Sequence, residues 1–282
     1  PEEMNMRGIL TKAEARTFVK CENFLWHVRC QLHYIANRSE EVINFNDQKE
    51  MALRLGYEDR KGLMGVERFM RHYFLIAREV GDLTRSICSI LEERQKKSVP
   101  VISKAITFLY AKNLDGFIVT SGRINIPDDR FFTEDPLNIL RLFYFSSEQN
   151  LLIHPNAVKA LRESLALVNA KLRASREAND LFLKILLSKK NAESTLRAMN
   201  ESGVLGRFIS DFGKIVGLMQ FNMYHHFTAD EHLLRAIGEL NKLFYSSESN
   251  VPDLVRDLIQ EGLNKKILTI ALFFHDIAKG RD

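Results

Sequence analysis

The sequence predicts a mostly α protein: a helical bundle domain with one small β-hairpin, followed by a helical linker and a further all-α part. Three observations lead there. Only 6 prolines and 14 glycines interrupt 282 residues. Long stretches between them repeat apolar residues at intervals of three and four, the period of one helix face. A single segment, around residues 117–126, carries the signature of paired strands instead.

The first helix is marked by Phe18, Cys21, Phe24, Leu25, Val28, Leu32 and Ile35, which line one side. A second is expected from Gly65 to Leu91, with Val66, Phe69, Met70, Tyr73, Phe74, Ile76 and Ala77 buried and Arg68, Arg71 and Arg78 on the other face. The polar, proline-terminated stretch ERQKKSVP at 93–100 reads as a linker. In GFIVTSGRINIPDDRFF, residues 117–120 and 123–126 flank the pair Ser121-Gly122, which suits a two-residue hairpin turn, and Pro127 then blocks further pairing. Helix resumes in EDPLNILRLFYF, where Asp135 can cap, Pro136 suits the first turn, and Leu137, Ile139, Leu140, Leu142 and Phe143 are expected inside. Further helices fill 156–220.

Composition narrows the classes. The chain is 45% apolar and 27% charged, the balance of an ordinary globular protein. A net charge of +4 spread over 40 basic and 36 acidic residues contains no strongly basic block, which argues against nucleic-acid binding. The longest strongly apolar run, at 267–274, is far shorter than the roughly 20 residues a membrane span needs. No secretory signal pattern precedes it, so the sequence reads as cytoplasmic and without membrane contact. Cys21, Cys30 and Cys88 show no CxxC spacing and read as buried thiols rather than as a disulfide or zinc framework.

Two segments carry candidate chemistry. In MYHHFTADEHLLRAIGEL, Thr228 and Glu231 have the spacing of a capping box, so a helix is expected to begin at about Ala229 with His232 in its first turns and Leu233, Ile237 and Leu240 facing a core. The closing ILTIALFFHDIAKGRD sets His275 and Asp276 at the end of an apolar helix whose buried side is expected at Ile267, Ile270, Ala271 and Phe274. Two separately anchored helices can thus present His232, His275 and Asp276 to one point. Imidazole and carboxylate donors suit zinc, manganese or ferrous iron. Such an ion lowers the pKa of water and turns it into a nucleophile towards phosphorus at neutral pH. Lys279, one turn beyond His275, is placed to meet a phosphate oxygen. His225 and His226 are weaker candidates for supporting hydrogen bonds. Arg68, Arg71 and His72 read either as a solvated face or as the lining of a nucleotide phosphate site. The plainer alternative throughout is that these histidines are ordinary hydrogen-bonded residues and the His-Asp pair simply a helix end.

A histidine followed by a distant His-Asp pair on helices resembles the HD phosphohydrolase superfamily. Beyond that, FLWHVRCQLHYIANRSEEVINF, MALRLGYEDRKGLMGVERFMRHYFLIAREVGDLTR, GRINIPDDRFFTEDPLNILRLF, QFNMYHHFTADEHLLRAIGEL and LFFHDIAKGRD resemble, in order, the middle of the bifunctional enzymes that uridylylate and deuridylylate the nitrogen-signalling protein PII. The resemblance implies that residues 1–155 form a helical domain associated with a UTP-dependent nucleotidyltransferase, that 156–222 connect, and that 223–282 open a truncated HD-type all-α domain. It carries the metal-ligand role over to His232, His275 and Asp276. It further implies magnesium or manganese in the intact enzyme, with zinc or iron as alternatives at the HD site, PII, UTP and UMP as partners, and glutamine sensed by domains not in this sequence. The family's upstream Gly-Ser and paired-aspartate motif and its last HD aspartate do not occur here, so a fragment with weak or no activity and poor divalent-metal binding is expected. Two other functions compete: a non-catalytic helical module that grips a partner, and an HD phosphohydrolase acting on free nucleotides.

Overall fold

The computed structural model describes residues 1–60, 62–95, 114–221, 227–245 and 252–280. They fall into two compact units, the first drawing its described residues from 1–97 and 215–229, the second from 98–214 and 230–281. The architecture is mostly α, as the apolar spacing predicts. Beyond Gln95 the expected linker lies outside the described residues, and so do His225 and His226.

The first unit contains α1 (Glu2–Met6), α2 (Lys12–Ala36), α3 (Phe45–Arg54) and α4 (Gly65–Gln95). A capping box opens α2: the Thr11 hydroxyl accepts from the Glu14 amide while the Glu14 carboxylate accepts from the Thr11 amide at 2.8 Å. Cys21, Val28 and Leu32 are buried on α2, and the core that Val28 and Leu32 join holds Met51, Ala52, Val66, Phe69 and Met70, with Phe24, Tyr73, Phe74 and Phe221 packed against it. Phe221 stacks on Phe45 with centroids 4.3 Å apart and planes 6° from parallel. Two expectations fail here. Ala77 is exposed, because the buried stripe of α4 continues through Ile76, Leu83 and Ile87, whose spacing of seven and four keeps to one side of the helix. Cys30 and Cys88 are exposed as well, leaving Cys21 as the buried thiol. At the start of α4, the Asp59 carboxylate accepts from the Gly65 amide at 2.6 Å, and a Cβ at Gly65 would lie 2.3 Å from the Tyr57 carbonyl oxygen. Only glycine lets helix and loop meet so closely.

In the second unit the hairpin forms as spaced: β1 (Ile118–Thr120) pairs antiparallel with β2 (Arg123–Asn125), Thr120 opposite Arg123. Ser121 and Gly122 have φ of 52° and 74°, the positive pair that a type I′ turn requires. A third strand, which the spacing did not predict, extends the hairpin: β3 (Leu152–Ile153) lies parallel to β2. Helices follow as α5 (Phe131–Glu134), α6 (Asn138–Glu148), α7 (Pro155–Glu163), α8 (Ala170–Ala174), α9 (Arg176–Leu186), α10 (Ala192–Glu201), α11 (Val204–Phe208) and α12 (Ser210–Ile215), with α6 falling between the strands β2 and β3 in sequence. The Asp135 carboxylate accepts from the Leu137 amide at 3.0 Å, and Leu137, Ile139, Leu140, Leu142 and Phe143 are all buried as expected. Beyond them come α13 (Ala229–Tyr245), α14 (Asp253–Gln260) and α15 (Lys265–Phe274), then a short 3₁₀ turn over Ile277–Gly280.

Candidate metal centre

Helix α13 starts at Ala229 as Thr228 predicts. The two Glu231 carboxylate oxygens pair with Arg197 and, at 2.9 Å, with Arg235. Asp230 and Asn200, each 6% exposed, meet through a bond in which Asn200 Nδ2 donates to Asp230 Oδ2 at 2.9 Å. Leu233, Leu234 and Ile237 bury the same side of the helix. His232 therefore projects from a helix that is tied down on its other face.

The partner helix α15 is apolar almost all round, and the structure buries a different side from the one expected. Thr269 and Phe273 are inside, whereas Ile267, Ala271 and Phe274 are exposed. With few polar residues to mark a solvent side, the period cannot choose a face. Ring packing chooses it: Phe273 stacks on Phe212 with centroids at 5.6 Å and planes 3° apart, and meets Phe182 edge-on at 5.7 Å. Anchored two residues earlier, His275 ends the helix and Asp276 leads into the 3₁₀ turn.

The structure brings His232, His275 and Asp276 together. One ligand atom from each lies within 4.8 Å of the others. His275 Nε2 is 3.5 Å and His232 Nε2 is 4.0 Å from Asp276 Oδ2, and the two imidazole centroids are 5.7 Å apart. The His275 Nδ1–H donates to the Leu272 carbonyl at 2.7 Å, which leaves the Nε2 lone pair for Asp276's side of the ring. Lys279, expected to meet a phosphate, donates from Nζ to Asp276 Oδ2 at 2.7 Å. Burial raises the Asp276 pKa, but the Lys279 hydrogen bond and the charges of His275, Lys279 and His232 outweigh it and hold the carboxyl below its ordinary value.

These residues fit a divalent cation. The donor set is two imidazoles and an ionised carboxylate, the mixture that suits zinc, manganese or ferrous iron. Ligands about 2.1 Å from one ion stand at most about 4.2 Å apart, so the widest separation in the cluster, 4.8 Å, closes by a small side-chain adjustment. Among the described residues no other cluster of this kind occurs.

The remaining candidates belong to the first unit. Arg68 Nη1 donates to the Glu58 carbonyl at 2.6 Å, and His72 Nδ1 shares a hydrogen bond with the Tyr57 hydroxyl at 2.5 Å while its ring lies 4.5 Å from that of Phe24. Arg71 is half-buried on the same helix. Spacing alone did not find Asn200 or Arg197, whose partners on α13 are 30 and 34 residues away. No local pattern links residues that far apart.

Comparison with known proteins places the chain beside one group of enzymes. A family model described as GlnD PII-uridylyltransferase matches residues 1–88, and one described as uridylyltransferase GlnD third domain matches residues 117–208. The chain is similar to the bifunctional uridylyltransferase/uridylyl-removing enzyme of Bradyrhizobium sp. strain ORS 278, 45% identical over 289 residues that cover 99% of this chain and 31% of the relative. The protein of that name in Bradyrhizobium diazoefficiens is 46% identical over 290 residues, with the same coverage of 99% and 31%. The chain thus spans about a third of the length of the curated relatives it matches. No solved structure matches it.

Proposed function

This chain belongs to the family of the bifunctional uridylyltransferase/uridylyl-removing enzymes, matching a segment of them, and on that premise we propose that His232, His275 and Asp276 are the metal ligands of the uridylyl-removing reaction. In this proposal the intact protein transfers UMP from UTP to PII, hydrolyses the same link to release UMP, and responds to glutamine. Residues 223–282 contribute the HD-type hydrolytic part, and residues 1–155 support the transferase part. The observation that carries the hydrolytic assignment is the convergence of three donor atoms within 4.8 Å from two helices.

A bound divalent ion, manganese or magnesium in the first instance, supplies Lewis acidity towards a phosphoryl oxygen and lowers the pKa of water. The chain's own residues prepare the place. Leu272 fixes the His275 tautomer by accepting its Nδ1 proton. Asp276 stays ionised at neutral pH, and its charge offsets that of a divalent cation. Lys279 sits beside Asp276, where its ammonium adds positive charge at the rim that a phosphodiester approaches.

Full-length protein carrying His275→Ala or Asp276→Asn, assayed on uridylylated PII with manganese, is expected to lose hydrolysis by about a hundredfold or more, while uridylyl transfer from UTP persists. Hydrolysis that is unchanged in both variants removes the site assignment. Release of phosphate from free nucleotides but not of UMP from PII removes the substrate assignment.

A further inference from the structure

We propose that Asn200 and Arg197 on α10 are positioning residues that set the rotation and register of α13 and so aim His232 at His275 and Asp276; this rests on the metal assignment above. The starting point is where His232 stands on its helix. Asp230, Leu233, Leu234, Ile237 and Gly238 occupy the buried face, and His232, about 200° round from Asp230 by the helical period, has a side chain 46% exposed. Packing holds its ring on one side only, in an edge-on contact with His275 at 5.7 Å. Its direction is inherited from the backbone of α13.

Apolar burial alone holds that backbone poorly in rotation. The hydrophobic effect is non-directional, and a face of Leu233, Leu234 and Ile237 tolerates small turns and slides. A shift of one residue moves a helix by about 1.5 Å and turns it by about 100°, enough to take an imidazole away from a shared cation. Hydrogen bonds depend on angle as well as distance, and a buried polar group that loses its partner is costly.

The helix is stitched to its neighbour by such bonds along its length. Asn200 Nδ2 meets Asp230 inside the protein at 2.9 Å. Arg197 bridges Glu231 and, at 2.8 Å, Glu193 of its own helix. Two turns on, the helices approach so closely that a Cβ at Gly238 would lie 1.9 Å from the Glu193 carboxylate. Asn241 Nδ2 then donates to the Ser188 carbonyl, in the segment leading into α10, at 3.2 Å. The two stitches nearest the site fall on residues 230 and 231, immediately before the ligand. They bond to no member of the trio, so they act through the helix.

The test uses the unchanged chain and five variants, with manganese affinity followed by electron paramagnetic resonance and stability by thermal unfolding. His232→Ala gives the affinity without that ligand. Asn200→Leu and Arg197→Met are expected to weaken manganese binding about tenfold, the low end of what loss of support to a metal ligand costs. Arg197→Lys is expected to restore part of it. Ile237→Val removes a methylene from the same helix, and is expected to lower the unfolding temperature while leaving affinity unchanged. Affinity unchanged in both Asn200→Leu and Arg197→Met, with His232→Ala impaired, overturns the positioning role and leaves the metal site standing. An equal loss in Ile237→Val makes the effect one of general stability and also overturns it. Manganese binding that His232→Ala does not weaken overturns the metal site and this inference together. Should Asn200→Leu not fold, the half-exposed Arg197 pair decides.

Discussion

Asp276 holds its charge among three nitrogen centres, His275 Nε2 at 3.5 Å, His232 Nε2 at 4.0 Å and Lys279 Nζ at 2.7 Å. In that setting Lys279 neutralises part of the carboxylate's charge. A second residue-scale feature lies in the other unit, at His72. Burial first, and then the charge of Lys20, push its pKa down, and the ring shares a hydrogen bond with the Tyr57 hydroxyl. The unfolded imidazole titrates near pH 6.5, so the folded state binds fewer protons. Its contribution is complete above about pH 6.5 and is lost as the pH falls towards the folded value. Thermal unfolding at about pH 7.5 and about pH 5.5 is expected to show a drop in midpoint that His72→Gln reduces; equal drops in both proteins refute the assignment. Neither partnership was legible in the sequence. Spacing puts Lys279 one turn from His275, but it does not say whether an ammonium faces substrate or a neighbouring carboxylate. His72 read as a surface or phosphate-binding residue because Tyr57 and Phe24 reach it only through the fold.

At the scale of elements, local chemistry explains most of what formed. The capping box at Thr11, the hairpin around Ser121-Gly122 and the turn in which Asp135 accepts from Leu137 each involve residues within seven positions of one another. Thr11→Ala is expected to cost about 1 kcal/mol. Gly122→Val places a β-branched residue at a φ of 74° and is expected to cost at least about 1–2 kcal/mol, whereas Ser121→Asn suits the type I′ turn and leaves stability equal or slightly higher. Chemical denaturation checks all three, and a neutral Gly122→Val would contradict the turn assignment. Two elements resisted. β3 is two residues long and pairs in parallel with a strand almost thirty positions earlier, so it carries neither alternation nor a turn. The sequence marks α15 as a helix but not its buried face, since nearly every position offers an apolar side chain and packing on Phe182 and Phe212 determines which one goes in.

For the molecule as a whole, a metal that binds the folded state and not the unfolded one raises stability by mass action. Manganese at about a hundred times its dissociation constant is expected to add about 2.7 kcal/mol, seen as a higher unfolding temperature in the unchanged chain and as no shift in His275→Ala. A shift that persists in the variant places the ion elsewhere. What the sequence by itself determined was the mostly α class, the hairpin with its turn, and the three candidate ligands, because helical period, turn preference and donor chemistry are properties of short stretches. Only the tertiary structure decided that His232 meets His275 and Asp276, which side of α15 is inside, and that Asn200 and Arg197 hold α13 in register. Those outcomes depend on contacts between residues tens of positions apart, and the directional bonds that select among many permissible apolar packings exist only once the helices have come together.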